Sequence, residues 1–150
     1  IHQFKYQQWQ KILNPLRIIL ETYLNNLQLD QAKLKNYIVI PIPLHKNRLQ
    51  ERGFNQAKRV AATASATISK PVIPALKRIR YTAVQAQLNK ETRRDNVAGA
   101  FALDPKIDIT GKRLLLVDDV YTTGSTMQEC ARILLAAGAA EVGGFTIARG

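Results

Sequence analysis

Cysteine is nearly missing from this chain of 150 residues. Cys130 stands alone, which excludes a disulfide framework and a cysteine-based zinc site within it. A reducing, cytoplasmic setting is the natural expectation. Acidic residues are scarce as well: 11 Asp and Glu against 22 Lys and Arg leave a net charge of +11. No apolar run approaches the roughly 18 residues of a membrane-spanning helix, so no membrane span is expected. No Gly-x-x-x-x-Gly-Lys-Ser/Thr loop occurs, which removes the P-loop nucleoside triphosphatases. No signal peptide is visible, and a first residue of Ile1 rather than Met leaves the upstream sequence open. What is present is ordinary globular composition, 46% apolar and 22% charged. The length suits one domain that buries about two-thirds of its unfolded surface.

The positive charge is unevenly spread. Residues 1–100 hold 17 basic and 5 acidic side chains, and residues 101–150 hold 5 and 6. Such a first portion attracts polyanions: nucleic acid, phosphorylated metabolites or an anionic membrane surface. Composition does not choose among them, and a solvated Lys/Arg surface reads equally well.

The apolar spacing over residues 9–29, with Leu16, Ile19, Leu20, Tyr23 and Leu27, predicts an amphipathic helix with Pro15 in its first turn or at a kink. Tyr37–Leu44 is a β-branched run that stops in prolines and reads as a buried strand. A polar loop is expected next, then a helix over 55–68 and a strand over 72–77. Residues 80–96 are polar without a clear period, which suggests an exposed, mobile loop. Short strands are expected over 97–103 and 113–118, a helix over 124–137 ending at Gly138, and a last strand over 141–148. Strands alternating with helices imply an α/β fold with a mainly parallel sheet.

The densest chemical signal is LLLVDDVYTTGST, Leu114 to Thr126. A buried strand ends in two adjacent carboxylates, Asp118 and Asp119. A loop of Thr122, Thr123 and Gly124 then opens a helix at Ser125 and Thr126. In open α/β sheets ligands sit beyond the carboxyl ends of strands, and a helix amino end offers unpaired N–H groups and a positive dipole to an anion. Adjacent carboxylates want hydroxyl donors or a metal ion. The spacing therefore fits a sugar phosphate, with its phosphate in the loop and its diol on the acids. The plainer reading is a strand end followed by ordinary Ser/Thr helix capping.

This stretch resembles the phosphoribosyl-pyrophosphate (PRPP) motif of type I phosphoribosyltransferases. Two further segments resemble the ComF family, linked to competence and DNA uptake in bacteria: PIPLHKNRLQERGFNQA, Pro41 to Ala57, and the pattern Thr82, Gln85, Leu88, Arg93, Asn96, Val97 with Gly99–Phe101. The likeness runs from about Lys5 to Gly150. It implies a type I phosphoribosyltransferase fold: a mainly parallel sheet flanked by helices, with a flexible hood loop. It implies that Asp118 and Asp119 hold the ribose hydroxyls and that Thr122, Thr123, Gly124, Ser125 and Thr126 bind the 5′-phosphate. The loop with His45, Lys46, Arg48 and Arg52 would face the pyrophosphate. Residues 80–96 would form the hood, carrying Arg80, Gln85, Arg93 and Asn96, with Arg93 beside the acid pair as a catalytic group. Mg²⁺ would come with PRPP, without a dedicated protein cage beyond Asp118 and Asp119. ComF proteins commonly carry a four-cysteine zinc ribbon before this domain. None is present here, so the chain is either a trimmed fragment or a member that lost it.

Three functions follow as expectations. The leading one is Mg²⁺-dependent transfer of phosphoribosyl from PRPP to an unidentified nitrogen acceptor. The second is a PRPP or nucleotide sensor, or an interaction module for the competence machinery, without turnover. The third is direct binding of single-stranded DNA through the basic segment. The apolar face of the N-terminal helix is compatible with a homodimer. Tyr81 and Tyr121 read as packing residues rather than base-stacking ones, and Cys130 as a small buried filler.

Overall fold

The computed structural model describes residues 36–81 and 96–150, together with the single positions Pro15, Ile18 and Thr22, which are helical. The remainder of the helix expected over 9–29 lies outside the described residues. So does most of the expected hood, including Gln85 and Arg93.

The run Leu-Leu-Leu-Val has no polar side chain to turn toward water, so it is stable only where both faces are covered. It forms the core of β4 (Arg113–Tyr121), which lies between β1 (Tyr37–Pro41) and β5 (Glu141–Arg149) in a parallel sheet of order β1-β4-β5. Tyr37 to Pro41 pair with Arg113 to Val117, and Arg113 to Tyr121 run beside Glu141 to Arg149. A parallel bridge between Val39 and Val72 extends the other edge of β1. The β-branched residues of β1 alternate between the two faces. Val39 joins Val117 and the Val60, Ala61 and Ala64 side of α2 (Gln56–Ile68). Ile40 joins Leu114, Leu116, Cys130 and Leu134, the last two from α3 (Ser125–Ala136). Two helices thus cover the two faces, the arrangement that alternating strands and helices imply.

The helices stop where local chemistry stops them. The Asn55 side chain accepts from the Lys58 N–H and donates to the Ile42 carbonyl at 2.9 Å, fixing where α2 begins and tying it to the end of β1. After α3, Gly138 takes φ +91°, its N–H bonds the Leu135 carbonyl, and the Ala139 N–H bonds the Leu134 carbonyl. That pair of bonds is the Schellman ending expected of glycine there.

Three expectations need correction. The polar stretch after β1 is not a loop: Lys46–Arg52 form a helix, α1. Residues 72–77 are not one strand. Val72 bridges to β1, and after an intervening proline the chain forms β2 (Leu76–Arg78), which pairs antiparallel with β3 (Phe101–Leu103) in a separate two-stranded sheet. The strand expected over 97–103 is confined to that β3, because Asn96–Val97 make a helical turn and Gly99 takes a left-handed backbone with φ +66°.

Leu116 is fully buried between β1 and α3. Leu116→Ala is expected to destabilise the fold by about 3 kcal/mol through lost transfer energy and a cavity. Urea denaturation followed by circular dichroism measures it.

Candidate functional site

Strand β4 outruns its expected end by three residues, so both carboxylates lie within it. Asp118 pairs with Thr146 of β5, and its Oδ1 accepts the Asp119 backbone N–H at 3.0 Å. Asp119 Oδ1 accepts the Val120 N–H at 3.0 Å in turn. Burial pushes the Asp118 carboxyl up to about 7, and the neighbouring Asp119 charge adds to it; the Asp119 N–H and the Arg78 guanidinium pull the other way. A carboxyl raised this far by burial and a like charge, next to a depression, makes Asp118 a candidate site residue.

Beyond the acids the chain turns through Thr122–Gly124 into α3. Gly124 sits at the N-cap with φ +77°, a backbone region that side chains disfavour. The Thr123 and Ser125 hydroxyls bond each other at 2.9 Å, and the Ser125 N–H points at Thr123 Oγ1. A shallow depression of about 30 Å³ opens here, enough for a small anion. Of the expected residues it is lined by Asp118, Thr122, Gly124, Ser125 and Thr126. Asp119 and Thr123 are adjacent but do not line it. Val120, Tyr121, Met127 and Thr146 do. Thr146 was illegible from the local motif because only the β4–β5 register brings it there.

The expected pyrophosphate segment is the helix α1. His45, 8% exposed, caps it, its Nδ1 accepting the Asn47 N–H at 3.3 Å. Gly53 closes it in a left-handed backbone, its N–H bonded to the Leu49 carbonyl at 2.7 Å. Histidine is not among the usual N-caps, so the sequence pattern conceals this start. The His45 ring meets the Tyr81 ring edge-on at 5.3 Å, and the Arg48 guanidinium lies 5.9 Å from the Tyr81 centre. Arg48 also bonds Glu51 at 3.1 Å, while Arg52 reaches Gln56 at 3.4 Å and Lys46 is exposed. Tyr81 packs as expected on one side, yet 47% of it stays exposed.

Arg80 donates to the carbonyls of Asn96 and Ala98, at 3.3 and 2.6 Å. It therefore joins the two ends of the expected hood instead of lining the depression. The Gly99 N–H bonds Glu129 of α3 at 2.8 Å, and Glu129 is held by Arg132. Arg78, which carries no motif, is the cation the sequence reading overlooked. It lies over the Phe101 ring at 5.2 Å, and burial lowers its pKa against the opposing influence of Cys130 and Asp118. No local signal marks it, because Arg78 ends the strand Leu76-Lys77-Arg78 beside another cation. Cys130 is buried, and burial together with the Asp118 charge pushes its thiol up, which suits a filler and not a nucleophile.

Among the described residues no three His, Cys, Asp or Glu side chains cluster to cage a metal. Two adjacent carboxylates do suit a Mg²⁺ that keeps waters and arrives with phosphates. No described helix is long and apolar enough to cross a membrane.

Residues 49–150 match the phosphoribosyl transferase domain family. The chain is 36% identical over 144 residues to the DNA utilization protein YhgH of Escherichia coli O157:H7, covering 95% of this chain and 62% of that protein. It is 37% identical over 121 residues to Competence protein F of Haemophilus influenzae (79% and 52% covered) and 32% identical over 151 residues to Competence protein ComFC of Bacillus subtilis (99% and 58% covered). The chain thus spans little more than half the length of these curated relatives. A purine phosphoribosyltransferase from Pyrococcus horikoshii matches in structure with a TM-score of 0.55 at 15% identity, over 94% of this chain and 74% of that one. At that identity the likeness establishes the fold.

The raised Asp118 carboxyl has a consequence for stability. Between an unfolded value of about 4 and a folded value of about 7, the folded chain holds a proton that the unfolded chain has released. Stability should therefore fall as pH rises through that window and level off above it. Asp118→Asn keeps an acceptor for the Asp119 N–H and removes the buried charge. It is expected to melt roughly 3 °C or more above the wild type at pH 8, with the difference vanishing near pH 4; thermal melts across pH check this.

Proposed function

Because this chain belongs to the phosphoribosyl transferase domain family, and within it to the ComF group, we propose that it binds PRPP with Mg²⁺ and transfers the phosphoribosyl group to a nitrogen acceptor, releasing pyrophosphate. The observation that carries this reading is the half-buried Asp118, its carboxyl raised to about 7, at a strand end that opens directly onto the Gly124 turn and the amino end of α3. A diol suits the acids and a phosphate monoester suits the turn, and a pentose 5-phosphate carries both groups. On the same reading, the relatives named for competence and DNA utilization suggest a place in the handling of DNA or its nucleotide products.

Each group has a role that follows from its charge. The carboxylates accept the ribose hydroxyls and stabilise positive charge as the C1–oxygen bond breaks in an oxocarbenium-like transition state, by analogy with glycoside chemistry. Donors at the head of α3 hold the phosphate without reorganising. The flank on the β1 side is basic, with Arg48, Arg78 and the more exposed Lys46 and Arg52. Guanidinium forks suit the oxygens of a departing pyrophosphate. Mg²⁺, when bound, would neutralise part of the charge that builds on that leaving group. On the β5 side the depression is lined by Thr146, next to Val120 of β4, and Arg149 lies in register with Tyr121.

Calorimetric titration with PRPP and Mg²⁺ tests the reading. The wild type should bind, and Asp118→Asn combined with Asp119→Asn should weaken binding by about 100-fold or more, without a lower melting temperature. Undiminished binding by the double variant would remove the assignment. Pyrophosphate release, followed with and without candidate bases, separates transfer from binding alone.

A further inference from the structure

The turn that follows the acids folds back onto its own strand. Tyr121 is the last residue of β4, and Gly124, three positions on, caps α3. A Cβ at Gly124 would collide with the Tyr121 hydroxyl and lie 2.7 Å from ring atom Cζ and 2.9 Å from Cε2. The outer edge of the phenol therefore rests on the Gly124 Cα, and only hydrogen fits between them. This places the phenol oxygen at the amino end of α3. Tyr121 lines the same depression as Asp118, Gly124 and Ser125. Its backbone is fixed from behind, because its carbonyl accepts the Gly150 N–H at 2.9 Å and the residue lies in register with Arg149 of β5. Among the described residues, none takes a hydrogen bond from its hydroxyl.

We propose that Tyr121 is a binding residue of this site: its hydroxyl donates to the phosphate monoester that enters the turn, and its ring holds Gly124 in the conformation the turn requires. The inference rests on the reading that a pentose 5-phosphate enters here. A phenol is an uncharged donor on a rigid arm, so it is aimed before the ligand arrives and loses little freedom on binding. A serine or threonine hydroxyl at the same place would be free to rotate away. The donor adds to the α3 amides without placing a second full positive charge beside Arg78. It acts on the monoester end of the ligand only, since the basic groups for a pyrophosphate lie on the opposite, β1 flank.

Tyr121→Phe keeps the ring on Gly124 and removes only the hydroxyl. Titration calorimetry of wild type and variant with ribose 5-phosphate, and separately with inorganic pyrophosphate, reads the two ends of the site apart. The variant is expected to bind ribose 5-phosphate about tenfold more weakly, with pyrophosphate affinity and melting temperature unchanged. Wild-type affinity for ribose 5-phosphate in the variant would overturn the inference. An equal loss for pyrophosphate, or a lowered melting temperature, would also overturn it, by making the hydroxyl a structural group. Failure of the wild type itself to bind ribose 5-phosphate would overturn the pentose-phosphate reading and this inference together, a result distinct from the other three.

Discussion

Strand β4 has a partner on each edge and a helix on each face, so its polar groups can meet a ligand only where it ends. The candidate site among the described residues is arranged around that ending. Asp118 is the first polar side chain the strand carries after Leu114–Val117, and it is only half out of the interior. Its charge is disfavoured by burial and by the carboxylate next to it. A carboxylate in such surroundings is favoured by a partner that brings hydroxyl donors or positive charge.

The surroundings of the acid pair are asymmetric, and the asymmetry comes from the sheet order. On the β1 side the chain leaves the sheet through Ile42 and His45 into α1, which brings Arg48 toward Tyr81. The antiparallel β2–β3 pair contributes Arg78, within electrostatic reach of both Asp118 and Arg48. On the β5 side the neighbours are Thr146 and the exposed Val120. The cations on the β1 side thus stand near the acid pair, while the β5 cation Arg149 lies in register with Tyr121, past the acids. Tyr121 and Gly124 complete the arrangement below, as a turn shaped by its own side chain.

Much of this was legible along the chain. The continuous apolar run Leu114–Val117 announced a strand covered on both faces, and Gly138 announced the end of α3. The adjacent Asp118 and Asp119, followed by a Thr/Gly/Ser turn, placed the site. The helix α1 was not legible, because its cap is a histidine and its residues are polar apart from Leu49, which leaves no apolar period. The split of residues 72–77 was not legible either: Val72 and Leu76 belong to different sheets, and local β-propensity cannot say which partner a short strand will find. Arg80 read as a hood cation facing a ligand, yet its guanidinium is spent on the carbonyls of Asn96 and Ala98. The destination of a long side chain depends on the segment it meets across space.

The sequence alone settled what depends on neighbours in the chain: the alternation of strands and helices, the acid pair next to a glycine turn, and the excess of positive charge before residue 100. These follow from periodicity, capping and covalent adjacency, which act over a few residues. Tertiary structure alone decided that Thr146 joins the depression, that Arg78 shares a field with Asp118, and that Tyr121 lies on Gly124. Those are matters of strand register, strand pairing and side-chain direction. Each is set by burying apolar area across the whole domain, a long-range sum that no short stretch of residues contains.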